Sequence, residues 1–197
     1  MKIDVPDIER AGRVELPAAQ TALIVVDMQN DFAHPEGALF VPDAQKTIPA
    51  IRALLERARA AGARVVFTQD WHSEDDPEFA IWPRHAVAGS WGAEVVTELE
   101  PLPSETRIRK LRYDAFYGTP LEHLLRLWGV RNVVVVGTVA NICVLHTAGS
   151  AALRWFGVVV AEDGLSAITP FDMQAALRQI SFLYRGRITS TGELSFV

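Results

Sequence analysis

The chain has 197 residues, of which 49% are apolar and 22% charged, a balance that excludes a disordered or fibrous protein and allows one sizeable core. A formal charge of −5 with scattered basic residues argues against a nucleic-acid partner, which would require a basic patch. No apolar run is long enough to span a bilayer, no secretory signal is visible, and a single cysteine precludes an intrachain disulfide; the expectation is a cytoplasmic protein.

Residues 1–20 mix charges with Pro6 and Pro17 and read as a surface arm on a single domain spanning 1–197. TALIVVD (21–27) is a continuous apolar run of strand length. KTIPAIRALLERARAAG (46–62) has helical spacing, with Ile48, Ile51, Leu54, Leu55 and Ala58 on one face and Gly62 as terminator. ARVVFTQD (63–70) predicts a second strand and RIRKL (107–111) a short third one. A helix over 119–129 ends at Gly129, a strand follows at 132–137, and a helix at 141–157. A strand at 158–163, a helix at 171–184 and a last strand at 187–191 complete the series.

Strands apolar on both faces that alternate with helices predict a parallel sheet covered by helices, an α/β fold. The stretch 70–105, rich in Pro, Trp and Gly, is too long for an ordinary connection and is expected to carry function.

In such a sheet, ligands bind beyond the carboxyl ends of the strands. Asp27, Asp70 with His72, Lys110 and Cys143 each fall at or just after such an end. At the first turn of a helix, Cys143 meets unpaired N–H groups and the positive dipole end, which favour a thiolate nucleophile; a buried, inert cysteine is the alternative. Asp27 could accept the thiol proton or serve only as a turn residue, with Asp31 as a second carboxylate or a structural ligand of the turn. Lys110 is one of three lysines in an arginine-dominated chain, which suggests a compact charge or a titratable amine. Asp70 and His72, at i and i+2, point to one side of an extended chain and could hold a divalent ion, with His85 as third ligand. Mixed oxygen and nitrogen donors suit zinc, iron or manganese. His34, His123 and His146 are assigned to surface or core roles.

Five segments in order, VVDMQNDF, DWH, IWPRHAVAGSWGAEV, RKLRYDAFYGT and VGTVANICV, resemble the isochorismatase-like cysteine hydrolases, which include nicotinamidases and N-carbamoylsarcosine amidases. The resemblance runs from about residue 20 to 190. It implies a doubly wound three-layer α/β/α fold with a mostly parallel sheet of about six strands. It also implies a triad of Asp27, Lys110 and Cys143. A non-proline cis peptide before Val139 and an oxyanion hole made by the N–H groups of Val139 and Cys143 are further implications. DWH with the later WPRH is similar to the metal site of nicotinamidases, here Asp70, His72 and His85. Phe32 and Trp71 match the aromatics that sandwich a pyridine ring, unless they are ordinary core residues. Asn141 and Ala86 depart from the nicotinamidase pattern, and KLRYDAFYGT is more like the broader amidases. The expected activity is therefore hydrolysis of a small amide through a thioester, nicotinamide first and N-carbamoyl compounds second, with a catalytically silent binding or thiol-sensing relative as the rival. Leu124, Leu127, Trp128 and Trp155 suggest a homo-oligomer, or simply pack on the sheet.

Overall fold

The computed structural model describes residues 6–197; the first five residues of the expected N-terminal arm lie outside the described residues. The elements are β1 (Val14–Leu16), β2 (Thr21–Val26), α1 (Asn30–Ala33), α2 (Ala44–Ala60), β3 (Arg64–Asp70), β4 (Thr106–Lys110) and α3 (Leu121–Leu127). They continue as β5 (Asn132–Gly137), α4 (Leu145–Leu153), β6 (Gly157–Leu165), α5 (Pro170–Tyr184), β7 (Arg187–Thr189) and β8 (Leu194–Phe196).

The central sheet has six strands in the order β4-β3-β2-β5-β6-β7, and every pairing in it is parallel. All carboxyl ends therefore lie on one edge. The middle strands are buried along their Val/Ile/Leu runs, with only Asn132 at the start of β5 half-buried, as helices covering both faces require. Alternation along β2 and β5 divides those side chains. Ala22, Ile24, Val133 and Val135 pack with α3, α4 and α5, while Leu23, Val25, Val134 and Val136 pack with α2. Ile51, Leu54 and Leu55 of α2 are at most 1% exposed, each contributing roughly 2 kcal/mol of apolar burial.

Two expectations are corrected, and a third reading that was left open is divided. The stretch 1–20 is not only an arm: Val14–Leu16 form β1, which pairs in parallel with β8, a strand the sequence pattern also misses. Val14 and Leu16 are both 2% exposed, but a three-residue alternation among charges and prolines is too short to read. The helix expected over 141–157 starts as a π-helical turn at Ala140–Val144 and ends at Leu153, because Trp155 takes a left-handed conformation and turns the chain into β6. Finally, Leu124 and Trp128 pack against the sheet, whereas Leu127 and Trp155 are exposed.

One close approach fixes the edge on which the site is built. Gly137 ends β5 at φ +117°, and a Cβ there would lie 2.1 Å from the Val26 carbonyl oxygen. Only glycine fits, since the clash is with backbone and not with a side chain that can move. Gly137→Ala should lower stability by about 3 kcal/mol or more, read as a shifted urea midpoint. An unchanged midpoint would show that β2 and β5 can part at no cost.

Candidate active site

The sheet edge brings four chemical groups together. The end of β2 delivers Asp27, in a left-handed conformation at φ 48° that a short polar side chain tolerates. Asp70 and Lys110 are register partners at the ends of β3 and β4. The turn after β5 brings Cys143, the last side chain of the group, to the same edge. The Lys110 ammonium, 1% exposed, lies 2.8 Å from Asp27 Oδ2 and is ion-paired with Asp70 Oδ1. Its Nζ is 3.7 Å from Cys143 Sγ. Carboxylate oxygens of Asp27 and Asp70 and the sulfur all lie within 4.8 Å of one another. Thr68 donates to Asp27 Oδ1 at 2.6 Å. Gln29 holds the Asp70 backbone from both sides, donating to its carbonyl and accepting from its N–H.

These groups shift one another. Burial pushes the Asp27 carboxyl above its usual range, opposed by Lys110. Burial alone would lower the Lys110 ammonium, but the charges of Asp27 and Asp70 outweigh it and hold it well above its ordinary value. The Cys143 thiol is pushed well up, by burial first and with Lys110 opposing. The helix terminus that favours the anion is therefore opposed by burial. A helix terminus contributes about 1 kcal/mol toward the anion, less than complete burial beside two carboxylates takes away. Burial thus favours the thiol over the anion, next to a carboxylate whose proton affinity burial raises and an ammonium able to steady the anion when it forms.

A second group adjoins the first through Asp70. His72 Nε2 is buried without a partner, 3.9 Å from Asp70 Oδ2. Its Nδ1 donates to Asp76 Oδ2 at 3.0 Å. His85 Nδ1 donates to the Pro83 carbonyl at 2.7 Å, and the two imidazoles are 4.8 Å apart. With Nδ1 so engaged, Nε2 is the atom each ring can offer a metal, and one ligand atom from each of Asp70, His72 and His85 lies within 4.8 Å of the others. This oxygen and two nitrogens, with outer hydrogen bonds in place, fit a divalent ion of the zinc, iron or manganese type. Burial lowers the His85 imidazole, which also favours the neutral ligand form.

Both groups open on a cavity of about 310 Å³. Phe32 stands on its wall, as do Val139 and Cys143, and the peptide between Thr138 and Val139 is cis. Trp71 does not reach it. The alternation that aims Asp70 and His72 one way sends Trp71 the other, where Arg109 lies 3.9 Å over its ring. The tryptophan that does line the cavity is Trp82, from the WPRH segment, whose indole N–H donates to the Tyr113 hydroxyl at 2.9 Å. Its WP dipeptide in the long connection was the signal for it. Glu78, also on the wall, and the Asp76 beside it lay in an irregular stretch where spacing says nothing about direction.

The remaining candidates are structural. Asp31 accepts from the backbone of Ala38 and Ala86 and so ties the loops together. Asn141 donates to Asp172 at the start of α5. His123 and His146 are exposed, and His34 rests edge-on against Trp91.

Comparison with known proteins gives the chain's family and fold relatives. The family model described as Isochorismatase domain matches residues 21–193. Ureidoacrylate amidohydrolase RutB of Stutzerimonas stutzeri (strain A1501) is 35% identical, the match covering 89% of this chain and 82% of that protein. Among solved structures, N-carbamoylsarcosine amidase from Thermoplasma acidophilum superposes with a TM-score of 0.81 at 38% identity, over 87% of this chain and 96% of that one. The pyrazinamidase of Pyrococcus horikoshii in complex with zinc gives 0.82 at 35% identity, over 87% and 99%. From its sheet order, its cysteine-bearing edge and these matches, this chain belongs to the isochorismatase family.

Proposed function

We propose that this protein is a cysteine-dependent amidohydrolase that cleaves the C–N bond of a small, neutral carboxamide, nicotinamide being the model substrate. The observation that carries the reading is the Lys110 ammonium, held by Asp27 and Asp70 3.7 Å from Cys143 Sγ on a cavity floor. The names of the amidase and pyrazinamidase neighbours support it.

Asp27 takes the proton from the Cys143 thiol, and the sulfur attacks the carboxamide carbon as the C=O electron pair moves to oxygen. The N–H groups of Val139 and Cys143 receive that oxyanion. Protonated Asp27 passes its proton to the departing nitrogen, ammonia leaves, and a thioester remains on Cys143. Asp27 then deprotonates a water that attacks the thioester, and the acid departs as the thiol is restored. Lys110 keeps its proton throughout and offsets the negative charge on sulfur. A divalent ion held by Asp70, His72 and His85 would supply Lewis acidity toward a lone pair of the substrate. Phe32 and Trp82 supply flat apolar walls for a ring, a role that Trp71 cannot fill behind Arg109.

Charge selects among amides. Asp70 and Glu78 are on the cavity wall, and no Arg or Lys is among the described residues lining it. Arg112 is engaged by Asp76 and Glu78 instead. An acid substrate would meet no unpaired Arg or Lys side chain on this wall to bind its carboxylate. A second reading, an N-carbamoyl or ureido acid as substrate, is favoured by the ureidoacrylate amidohydrolases among the relatives.

Cys143→Ala should abolish ammonia release from nicotinamide while retaining zinc binding; residual turnover above the buffer rate removes Cys143 from the chemistry. In an ammonia-release panel, kcat/KM for nicotinamide and pyrazinamide should exceed that for N-carbamoylsarcosine and ureidoacrylate by about 100-fold or more. The reverse order would establish the ureido reading.

A further inference from the structure

We propose that Arg112 is a positioning residue for His72, acting through Asp76 on the back of the imidazole, an inference that rests on reading Asp70, His72 and His85 as a metal centre. Arg112 follows Lys110 by two residues, so the strand end that carries the lysine to the sulfur also carries a guanidinium behind the histidine.

The backbone of His72 is fixed by hydrogen bonds to Ala86 and from Ala88. The rings of Phe79 and His85 stand edge-on to its imidazole at 5.5 and 4.8 Å. What these contacts leave open is which ring nitrogen faces Asp70. Asp76 decides it, accepting from Nδ1 at 3.0 Å and leaving Nε2 buried, unpartnered and turned toward Asp70.

Asp76 must itself be held. It is 6% exposed, and a buried carboxylate without compensation is strongly unfavourable. The Glu78 N–H donates to its Oδ1 at 2.9 Å. Arg112 Nη1 stands 3.1 and 3.2 Å from its two oxygens, with Glu78 Oε2 a further 3.6 Å contact of the same nitrogen. Arg112 is thus the cation on this carboxylate, and by straddling both oxygens it sets the direction in which Oδ2 meets His72. Carboxylates that orient metal-binding histidines alter metal affinity although they never touch the ion. Here that dependence extends one residue further, to a guanidinium off the cavity wall. It gives the RKLRYDAFYGT segment a function beyond Lys110.

The test is zinc alone, titrated into metal-free full-length protein against a chromophoric chelator, with circular dichroism to verify folding. Asp76→Ala and Arg112→Ala should each weaken zinc binding by about tenfold or more. The double variant should bind no more weakly than Asp76→Ala, because Arg112 acts only through that carboxylate. Arg112→Lys retains the charge but not the straddling contact; it should bind zinc more weakly than wild type while melting normally, and it carries the test if Arg112→Ala fails to fold. Several results would overturn the proposal: zinc affinity unchanged in Arg112→Ala or Arg112→Lys, additive losses in the double variant, or a wild type that binds no zinc. A raised KM for N-carbamoyl acids with unchanged zinc affinity would likewise overturn it and make Arg112 a substrate contact. Amide turnover takes no part in the zinc measurement, so failure of the amidohydrolase reading would be seen separately, as protein that binds zinc and releases no ammonia.

Discussion

A lysine ammonium without access to water, bound between two carboxylates, is the constraint on which this structure depends. Taking each such ion out of water costs several kcal/mol, and only close mutual pairing offsets it. Asp27, Asp70 and Lys110 come from three strands, so the pairing forms only if β2, β3 and β4 end at matching heights. The parallel register provides this, with Asp70 directly opposite Lys110. Asp70 is also the hinge between the two groups of the site, as one oxygen meets Lys110 and the other faces His72. Anything that moves this carboxylate moves the nucleophile's surroundings and the metal ligands together, which explains why Gln29 secures its backbone twice.

The same burial that makes the ion pairs costly also defines the chemistry. A thiol with access to water at a helix terminus would lose its proton readily and would be open to adventitious oxidation. Cys143 is 6% exposed, and its burial favours the thiol over the anion. Asp27, with its raised proton affinity, suits both taking that proton and giving it to a leaving nitrogen.

Much of the fold was legible because its signals are long. The runs TALIVV and NVVVV are buried on both faces and read directly as central strands. Asp27, Lys110 and Cys143 were legible through one geometric rule, that polar residues following such strands meet at one edge. Three features escaped for definite reasons. β1 and β8 stabilise each other across the length of the chain, and neither has enough residues to show a period. Trp82 lies in a stretch with no period, and Trp71 stands between Asp70 and His72, where the i, i+2 rule that pairs those two turns it away. The contact of Asp76 with Arg112 joins an irregular loop to a strand end 36 positions later, and no local pattern encodes such a meeting.

The central claim is that Cys143 becomes covalently bonded to the acyl group during turnover. Acid quenching of protein mixed with excess nicotinamide, followed by peptide mass mapping, tests it directly. Nucleophilic catalysis predicts a nicotinoyl thioester on the peptide containing Cys143 that is absent from Asp27→Asn protein. Acylation of any other residue, or ammonia release that proceeds while Cys143 is blocked by alkylation, would contradict it.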